Sequence, residues 1–563
     1  MTTHRAGGSG LLGDLPSRTA PMRDDGYQST WPATSGLLSA GAGPAELVTG
    51  RRTHAALPRR DGVWHRLAAA WELWGILAVQ VGLTVPWLWR TAPFTDEALY
   101  LDAGHQEWAH WLHHVPIPDY AAWFSGAPVI YPPLAAGANS LGGLVAARAL
   151  SLVLMLASTV LIYLTAGRLF DGRMPRVMAA MLFAVCGLVV HYGAFATFGP
   201  AAMFLLVVAT WAATRIRDGG PCWIAACAVA LAAADATKYA ALAWDPVVIG
   251  MVLLHGWDRG RRRAAGDAAS AGLTVGVLVI GLLMLGGANY SRGVVVTTLY
   301  RSIHWSTPNS AASVLLRALA LTGVLVVPAF LGIIIALVRR ESPARTLLLV
   351  LLMLGALFAA ADQARIHQLS SLDKNLGFGL PFAALGAGYA LSVGWLVVAQ
   401  RWRWGGIAAM AACVALLLGT VIAGRLQSVQ FRGPGVATAD EVVTAVRTDY
   451  VPGTYVLSDG AARMEQYYLP SIGSRWWVGT FAPTPQQNAR IAGLVCSGQV
   501  SVVVLRKSGS AYDHPYDLTI LRMLAHAERY RLGTVASQGN YSTQVWKLAD
   551  PGRTRPGGRA GCA

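Results

Sequence analysis

Eleven stretches of this chain, near residues 71–90, 139–166, 176–192, 198–214, 221–237, 239–256, 268–288, 313–338, 345–361, 377–399 and 405–424, are apolar over a length that crosses, or nearly crosses, about 30 Å of hydrocarbon. In a bilayer no water satisfies the backbone N–H and C=O groups, so such runs fold as helices that bond internally. Of the 563 residues, 54% are hydrophobic and 13% charged, against roughly 25% charged in soluble domains. The pattern predicts a polytopic α-helical membrane protein of about 11 transmembrane helices.

Charge orients the expected spans. Alternate connections are short and arginine-rich: RLFDGRMPR, RIRDGG, HGWDRGRRR, RRESPAR and QRWRW. Together with the earlier RRTHAALPRR they fall on one side, which the positive-inside rule makes cytoplasmic. The net charge of +16 is then a topology signal; a nucleic-acid partner would need the basic residues gathered on one soluble face. An odd number of spans puts the N-terminus in the cytoplasm and everything after Arg425 outside.

Five regions follow. Residues 1–66, rich in Gly, Ser, Pro and Arg without hydrophobic periodicity, read as a disordered basic cytoplasmic tail. They are no secretory signal, because the first apolar run comes too late. Residues 67–425 hold the membrane domain, with a long first external loop at 91–140. Residues 426–550 alternate helix-like segments (TADEVVTAVRTDY, PQQNARIAGLVCSG, YDLTILRMLAHAERY) with strand-like ones (TYVLSD, QVSVVVLRK, TQVWKLA), which predicts a small extracytoplasmic α/β domain. Its expected role is to cap or select a substrate beside the membrane. Residues 551–563 read as a flexible tail. Cys186, Cys222, Cys227 and Cys413 sit in apolar runs as expected core thiols, while Cys496 and Cys562 could pair in an oxidising compartment. No cysteine has metal-ligand spacing.

The first external loop is too long to be a mere connection and too aromatic to be disordered. Trp108, Trp111, Trp123, Phe124 and Tyr131 suit the headgroup level. DEALYLDAGHQEWAHWLHH has apolar residues near helical spacing, so an interfacial helix is expected, with Thr95 as N-cap and Asp96 and Glu97 in its first turn. Acids there also simply complement a helix dipole, and spacing alone leaves the two roles open.

The segments DEALYLDAGH, SGAPVIYPPL and AARALSLV, and less distinctively ATKYAALAWDP and SSLDKNLGFGLPF, resemble the lipid-linked-sugar glycosyltransferases of the GT-C class. Within it they are similar to glycosyltransferase family 39 and its relatives, which include protein O-mannosyltransferases and aminoarabinose transferases. The resemblance covers roughly residues 70–425. It implies transfer of a sugar from a polyprenyl-phosphate carrier to an envelope acceptor (protein, polysaccharide or lipid) at the outer face, with inversion. Carried over residue by residue, Asp96 is the expected general base and Glu97 its partner. Relatives of the aminoarabinose type have an acidic and a basic residue directly before the paired prolines; Val129, Ile130 and Tyr131 stand there here, so no second catalytic acid is carried over.

A carrier phosphate needs cations near the external ends of spans. Only four residues are lysine, and Lys238 and Lys374 both fall on the external side. Lys238 precedes Asp245 and Pro246, a pair suited to starting a new half-helix after a break. Arg148, in the outer part of an apolar run, is a candidate by default, and Arg301, His304, Arg365 and His367 complete the cationic set. Tyr100, Asp102, His105 and Tyr131 are the remaining expected substrate contacts. A divalent cation, magnesium or manganese, is not required but could be held by Asp96 and Glu97. The competing classes are a transporter or flippase of lipid-linked sugars and a catalytically silent relative; transport predicts midplane charges and two matching halves, and neither pattern is evident.

Overall fold

The computed structural model describes residues 71–549 except 123, 299–308, 370, 402–403, 431–435, 459–462, 480–484, 509–510, 513–515 and 539–540. The two expected tails, Arg301, His304, Trp123 and Cys562 therefore lie outside the described residues.

A helix stands at each of the eleven expected places. In chain order the membrane part comprises α1 (Trp71–Thr84), α2 (Thr95–His113), α3 (Tyr131–Leu169), α4 (Met174–Val185), α5 (Gly187–Ala194), α6 (Phe198–Gly219), α7 (Pro221–Thr237), α8 (Asp245–Gly256), α9 (Arg261–Thr298), α10 (Ala311–Val338), α11 (Pro343–Arg365), α12 (Leu372–Leu376), α13 (Leu380–Arg401) and α14 (Gly405–Gln430). Among the described residues, eight helical segments are long and apolar enough to cross a bilayer, and α4 with α5, bent by 60°, make a ninth if they form one span. The difference from eleven lies in α7, apolar but only 17 residues long, and in α1, described over 14.

Burial confirms the solvent. In a water-soluble protein the most apolar helices are the most enclosed, yet only 11% of the apolar window of Gly405–Gln427 and 17% of that of Arg261–Thr298 are buried within the protein. Leu273, Met284 and Leu285 of α9 point outward, an arrangement stable against hydrocarbon and costly in water. The protein core instead joins α3 through α8 with α10, α11 and α13, around Phe183, Trp244, Phe378 and Phe382.

The arginine-rich connections meet at one end of the bundle. Asp218 pairs with Arg168 and, at 3.2 Å, with Arg259; Arg345 reaches Asp171 at 3.5 Å; Arg173 binds Glu72 through two 2.8 Å hydrogen bonds. Lys238, at the far end of α7, therefore belongs to the opposite face.

That face carries the long first loop. Tyr120, Phe124, Tyr131 and Phe198 pack with Leu101 of α2. Gly104 allows α2 to approach the paired prolines: a Cβ there would stand 2.0 Å from the Pro132 carbonyl oxygen. The helix starts one residue earlier than expected, with Phe94 as N-cap and Thr95 as its first residue. The Glu97 side chain accepts the Phe94 N–H at 3.3 Å, so the cap is supplied from inside the first turn. α3 is bent at Gly142–Gly143, where Gly143 takes a φ of 65° that a side chain would disfavour.

The C-terminal part is the expected α/β domain: α15 (Val436–Asp449), β1 (Tyr455–Ser458), α16 (Arg463–Tyr468), β2 (Trp477–Gly479), α17 (Pro485–Cys496), β3 (Val500–Ser508), β4 (Ala511–Tyr512), α18 (Asp517–Ala527), β5 (Tyr530–Gln538) and β6 (Tyr541–Leu548). The sheet order is β2-β1-β3-β6-β5, with β4 on β3; β1 runs parallel to β2 and β3, and the other pairs are antiparallel. Both faces are covered, which explains the unbroken apolar run of β3: Val502 and Val504 pack with α15, while Val503 and Leu505 pack with α17 and α18. Cys496 is disulfide-bonded. Cys186 and Cys227 are buried free thiols, but Cys222 is exposed at the start of α7, a correction to its expected place in the core.

Candidate active site

Asp96 opens onto a cavity of about 230 Å³ on the face opposite the arginine-rich connections. Tyr100 lines it from the next turn of α2, Tyr192 from α5, Lys238 and Tyr239 from the break after α7, Thr297 and Thr298 from α9, and Ser371 and Lys374 from the segment around α12. Elements distant in sequence thus converge on one carboxylate and two ammonium groups.

The broken span holds Lys238 in place. Lys238 is extended (φ −150°, ψ 109°) between α7 and a 3-10 turn, Tyr239–Trp244, that leads into α8. Backbone groups released by such a break must find partners, and the first loop supplies them. Ala127 N–H donates to Ala236 O at 2.8 Å, and Tyr239 N–H donates to Ser125 O at 3.0 Å. Gly126 lies between these bonds so close to the break that a Cβ would meet Thr237 O at 1.9 Å. SGA in SGAPVIYPPL is therefore the strap that closes the broken helix. Asp245 falls one residue inside α8, with Trp244 as N-cap, and both Asp245 and Asp235, across the break, are buried.

Lys374 forms an ion pair with Asp96 Oδ2, and its ammonium lies 5.4 Å from the centre of the Phe94 ring. Its backbone carbonyl accepts a hydrogen bond from Lys238 Nζ at 3.2 Å and another from the Tyr192 hydroxyl. Lys238 also stands 5.2 Å from the Phe378 ring centre.

Glu97 points elsewhere. It is fully buried against the equally buried Arg148, with Arg148 Nε on Oε1 at 2.9 Å and Nη2 on Oε2 at 2.7 Å. Oε1 also accepts the Ala196 N–H at 2.7 Å. Arg148 spends its other donors on the carbonyls of Leu88, Thr91 and Ala92. Neither residue lines the cavity, so Asp96 and Glu97 do not converge on a shared metal. Among the described residues no three His, Cys, Asp or Glu side chains gather as a metal site.

The other expected contacts are dispersed. Tyr131 is buried, its hydroxyl 3.4 Å from Ser151 Oγ. Asp102 accepts from Gln106 on the same helix, and His105 bonds Asn139 Oδ1 at 2.9 Å. Arg365 pairs with Asp362, and His367 meets the Asn309 carbonyl; none of these lines the cavity. Tyr192, Ser371, Thr297 and Thr298 do line it and were not anticipated. The polar pair His191–Tyr192 inside an apolar run was the one visible sign. The sheet domain touches the loop that bears Asp96: Asn139 Nδ2 donates to the Tyr467 hydroxyl at 2.8 Å, and Met464 and Tyr468 pack on Ala92 and Ala439. Burial pushes the phenols of Tyr467 and Tyr468 up, Tyr468 to about 12, so both stay neutral at this junction.

No protein-family model matches the chain, and no curated protein does. Solved structures do. ArnT from Cupriavidus metallidurans in the apo state aligns with a TM-score of 0.58 at 14% identity, over 86% of this chain and 99% of that one. Archaeal oligosaccharyltransferase AglB from Archaeoglobus fulgidus, in complex with an inhibitory peptide and a dolichol-phosphate, gives 0.53 at 13%, over 78% and 69%. Arabinofuranosyltransferase AftD from Mycobacteria gives 0.51 at 15%, over 86% of this chain but 40% of that one. The chain thus shares its fold with these glycosyltransferase structures.

Proposed function

We propose that this chain is a membrane glycosyltransferase that moves a sugar from a polyprenyl-phosphate carrier to a hydroxyl of a cell-envelope acceptor on the outer face. The observation that carries this reading is the convergence of Asp96, Lys238 and Lys374 on one cavity. Structures of the same fold with undecaprenyl phosphate (ArnT, TM-score 0.57) and dolichol-phosphate (AglB) support it.

The chemistry follows from the groups. Lys238 and Lys374 hold the carrier phosphate and stabilise the charge it gains as the sugar leaves. The acceptor hydroxyl gives its proton to the Asp96 carboxylate while its oxygen bonds to the anomeric carbon. The bond from that carbon to the phosphate oxygen breaks, its electron pair stays with the carrier phosphate, and attack from the opposite side inverts the centre. Tyr100 and Tyr192 face the sugar. Glu97 and Arg148 act by positioning: they tie α2, α3 and the Phe94 and Ala196 backbones together beneath Asp96.

The test is sugar transfer by purified protein in lipid nanodiscs, from a panel of polyprenyl-phosphate sugars to envelope acceptors. Asp96→Asn is expected to lower kcat by about 10²–10⁴-fold with donor binding retained, the usual contribution of a general base. Undiminished transfer by the folded variant removes Asp96 from the role. Movement of donor across the bilayer without transfer would favour a flippase.

A further inference from the structure

In the structure Asp96 and Lys374 serve each other. The Lys374 ammonium occupies a lone pair of the carboxylate that must take the acceptor proton. Meanwhile its charge is spent on Asp96 and not on a phosphate. The carboxylate keeps its other oxygen and the ammonium its other N–H donors, but while the pair is closed each charge is balanced by the other, so a phosphate meets the full ammonium charge only if one of the two groups moves.

The local structure says which. Asp96 sits in the first turn of α2, whose backbone is tied by Glu97 to Arg148 and to the Phe94 and Ala196 amides. The main chain of Lys374 is also held. Ser371 takes a φ of 67° to begin α12, and the Lys374 carbonyl accepts from both Tyr192 and Lys238. What can turn is the four-carbon side chain of Lys374, 37% exposed on the cavity wall. Lys238 stands beside it, so a phosphate entering the cavity meets one ammonium already in place and a second within a side-chain rotation.

We infer that the Asp96–Lys374 ion pair is a donor-operated latch. With no donor bound, Lys374 covers the base. The carrier phosphate draws Lys374 toward itself and Lys238, and that movement uncovers the Asp96 carboxylate for the acceptor hydroxyl. Donor binding then favours acceptor binding, because seating the leaving group frees the carboxylate oxygen that Lys374 holds. The inference rests on the function proposed above.

A double-mutant cycle on carrier binding tests it, using a polyprenyl phosphate without sugar as the probe and protein in nanodiscs. The four proteins are wild type, Asp96→Asn, Lys374→Met and the double variant, each checked by thermal melting. Removing the competitor should help the lysine bind phosphate, so Asp96→Asn should tighten binding about tenfold, an ordinary size for coupling between two ligands. The same substitution in the Lys374→Met background should leave the affinity within about twofold, the scatter of independent sites. Equal tightening in both backgrounds would mean simple repulsion between Asp96 and phosphate, and would overturn the latch while leaving the enzyme reading intact. Failure of the wild type to bind the carrier would instead bring down the proposed function and the latch with it. If Asp96→Asn melts early, Asp96→Ser removes the carboxylate equally and must show the same background dependence.

Discussion

Arg148 shows how one side chain can dominate a site it does not touch. Its five hydrogen bonds end on Glu97 and on three carbonyls of the segment that leads into α2, with the Phe195 ring 5.3 Å away. A charge buried so fully is tolerable only while paired. Arg148→Met is therefore expected to cost about 3–5 kcal/mol, because it leaves the Glu97 carboxylate buried without its partner. Adding Glu97→Gln should recover much of that loss. Melting of the wild type and the two variants in one detergent checks this; equal loss in Arg148→Met and in the double variant would mean that packing of the arginine, not its charge, is what matters. An ionisable residue within an apolar run was visible in the sequence, and so was Glu97 in the first turn of a helix. What could not be read was that the two belong to each other, since 51 residues separate them and no local period links them. The same limit applies to Lys374 and Asp96, 278 residues apart. Arg365 and His367 differ in kind: their place at the end of α11 was legible, but the 3.1 and 2.8 Å bonds that turn Arg365 back on Asp362 depend on a local rotamer choice.

At the scale of elements, the position of Asp96 depends on how closely α2 lies against the start of α3. Gly104 sets that distance, because any Cβ there would stand 2.0 Å from backbone that cannot yield as a flexible side chain would. Gly104→Ala should force α2 away and carry Asp96 with it; a shift of about 1 Å at reacting groups can cost roughly 10²-fold in rate. Gly137→Ala, on the first part of α3, has nothing within 4 Å of the new Cβ and should be neutral or slightly stabilising, as helical glycine replaced by alanine generally is. Transfer assays on this pair check the contact, and equal activity of the two would mean α2 is not positioned by this approach. Helices at this scale were largely legible, because length and apolar character suffice to place a span. Breaks were less so. The interruption at Lys238 could be anticipated from Asp245–Pro246, but the strap from Ser125 to Ala127 that closes it is a pairing between distant loops. The 60° bend between α4 and α5 and the Gly142–Gly143 kink have no counterpart in a hydropathy window. α16, six residues long, is too short for any period to declare it, yet it is the helix by which the sheet domain rests on the loop that bears Asp96. That contact makes the domain a buttress for α2.

For the whole molecule, the decisive question is which face meets which compartment. Ion pairs gather Arg168, Arg173, Arg259 and Arg345 at one end of the bundle. The cavity and the sheet domain occupy the other. The excess of short arginine-rich connections predicts a cytoplasmic location for the first end, and the disulfide at Cys496 predicts an oxidising compartment for the second. These two lines of reasoning are independent, one resting on membrane insertion and the other on redox chemistry, and they agree. Two single cysteines in a Cys222→Ser background test the result. Asp171→Cys stands at a fully exposed position among the arginines, and Leu518→Cys on exposed α18. A membrane-impermeant maleimide added to intact cells should label Leu518→Cys, and should reach Asp171→Cys only after the membrane is permeabilised. The reverse pattern would turn the molecule over: Asp96 and both lysines would then face the cytoplasm, and an envelope acceptor could not meet the carrier at this site.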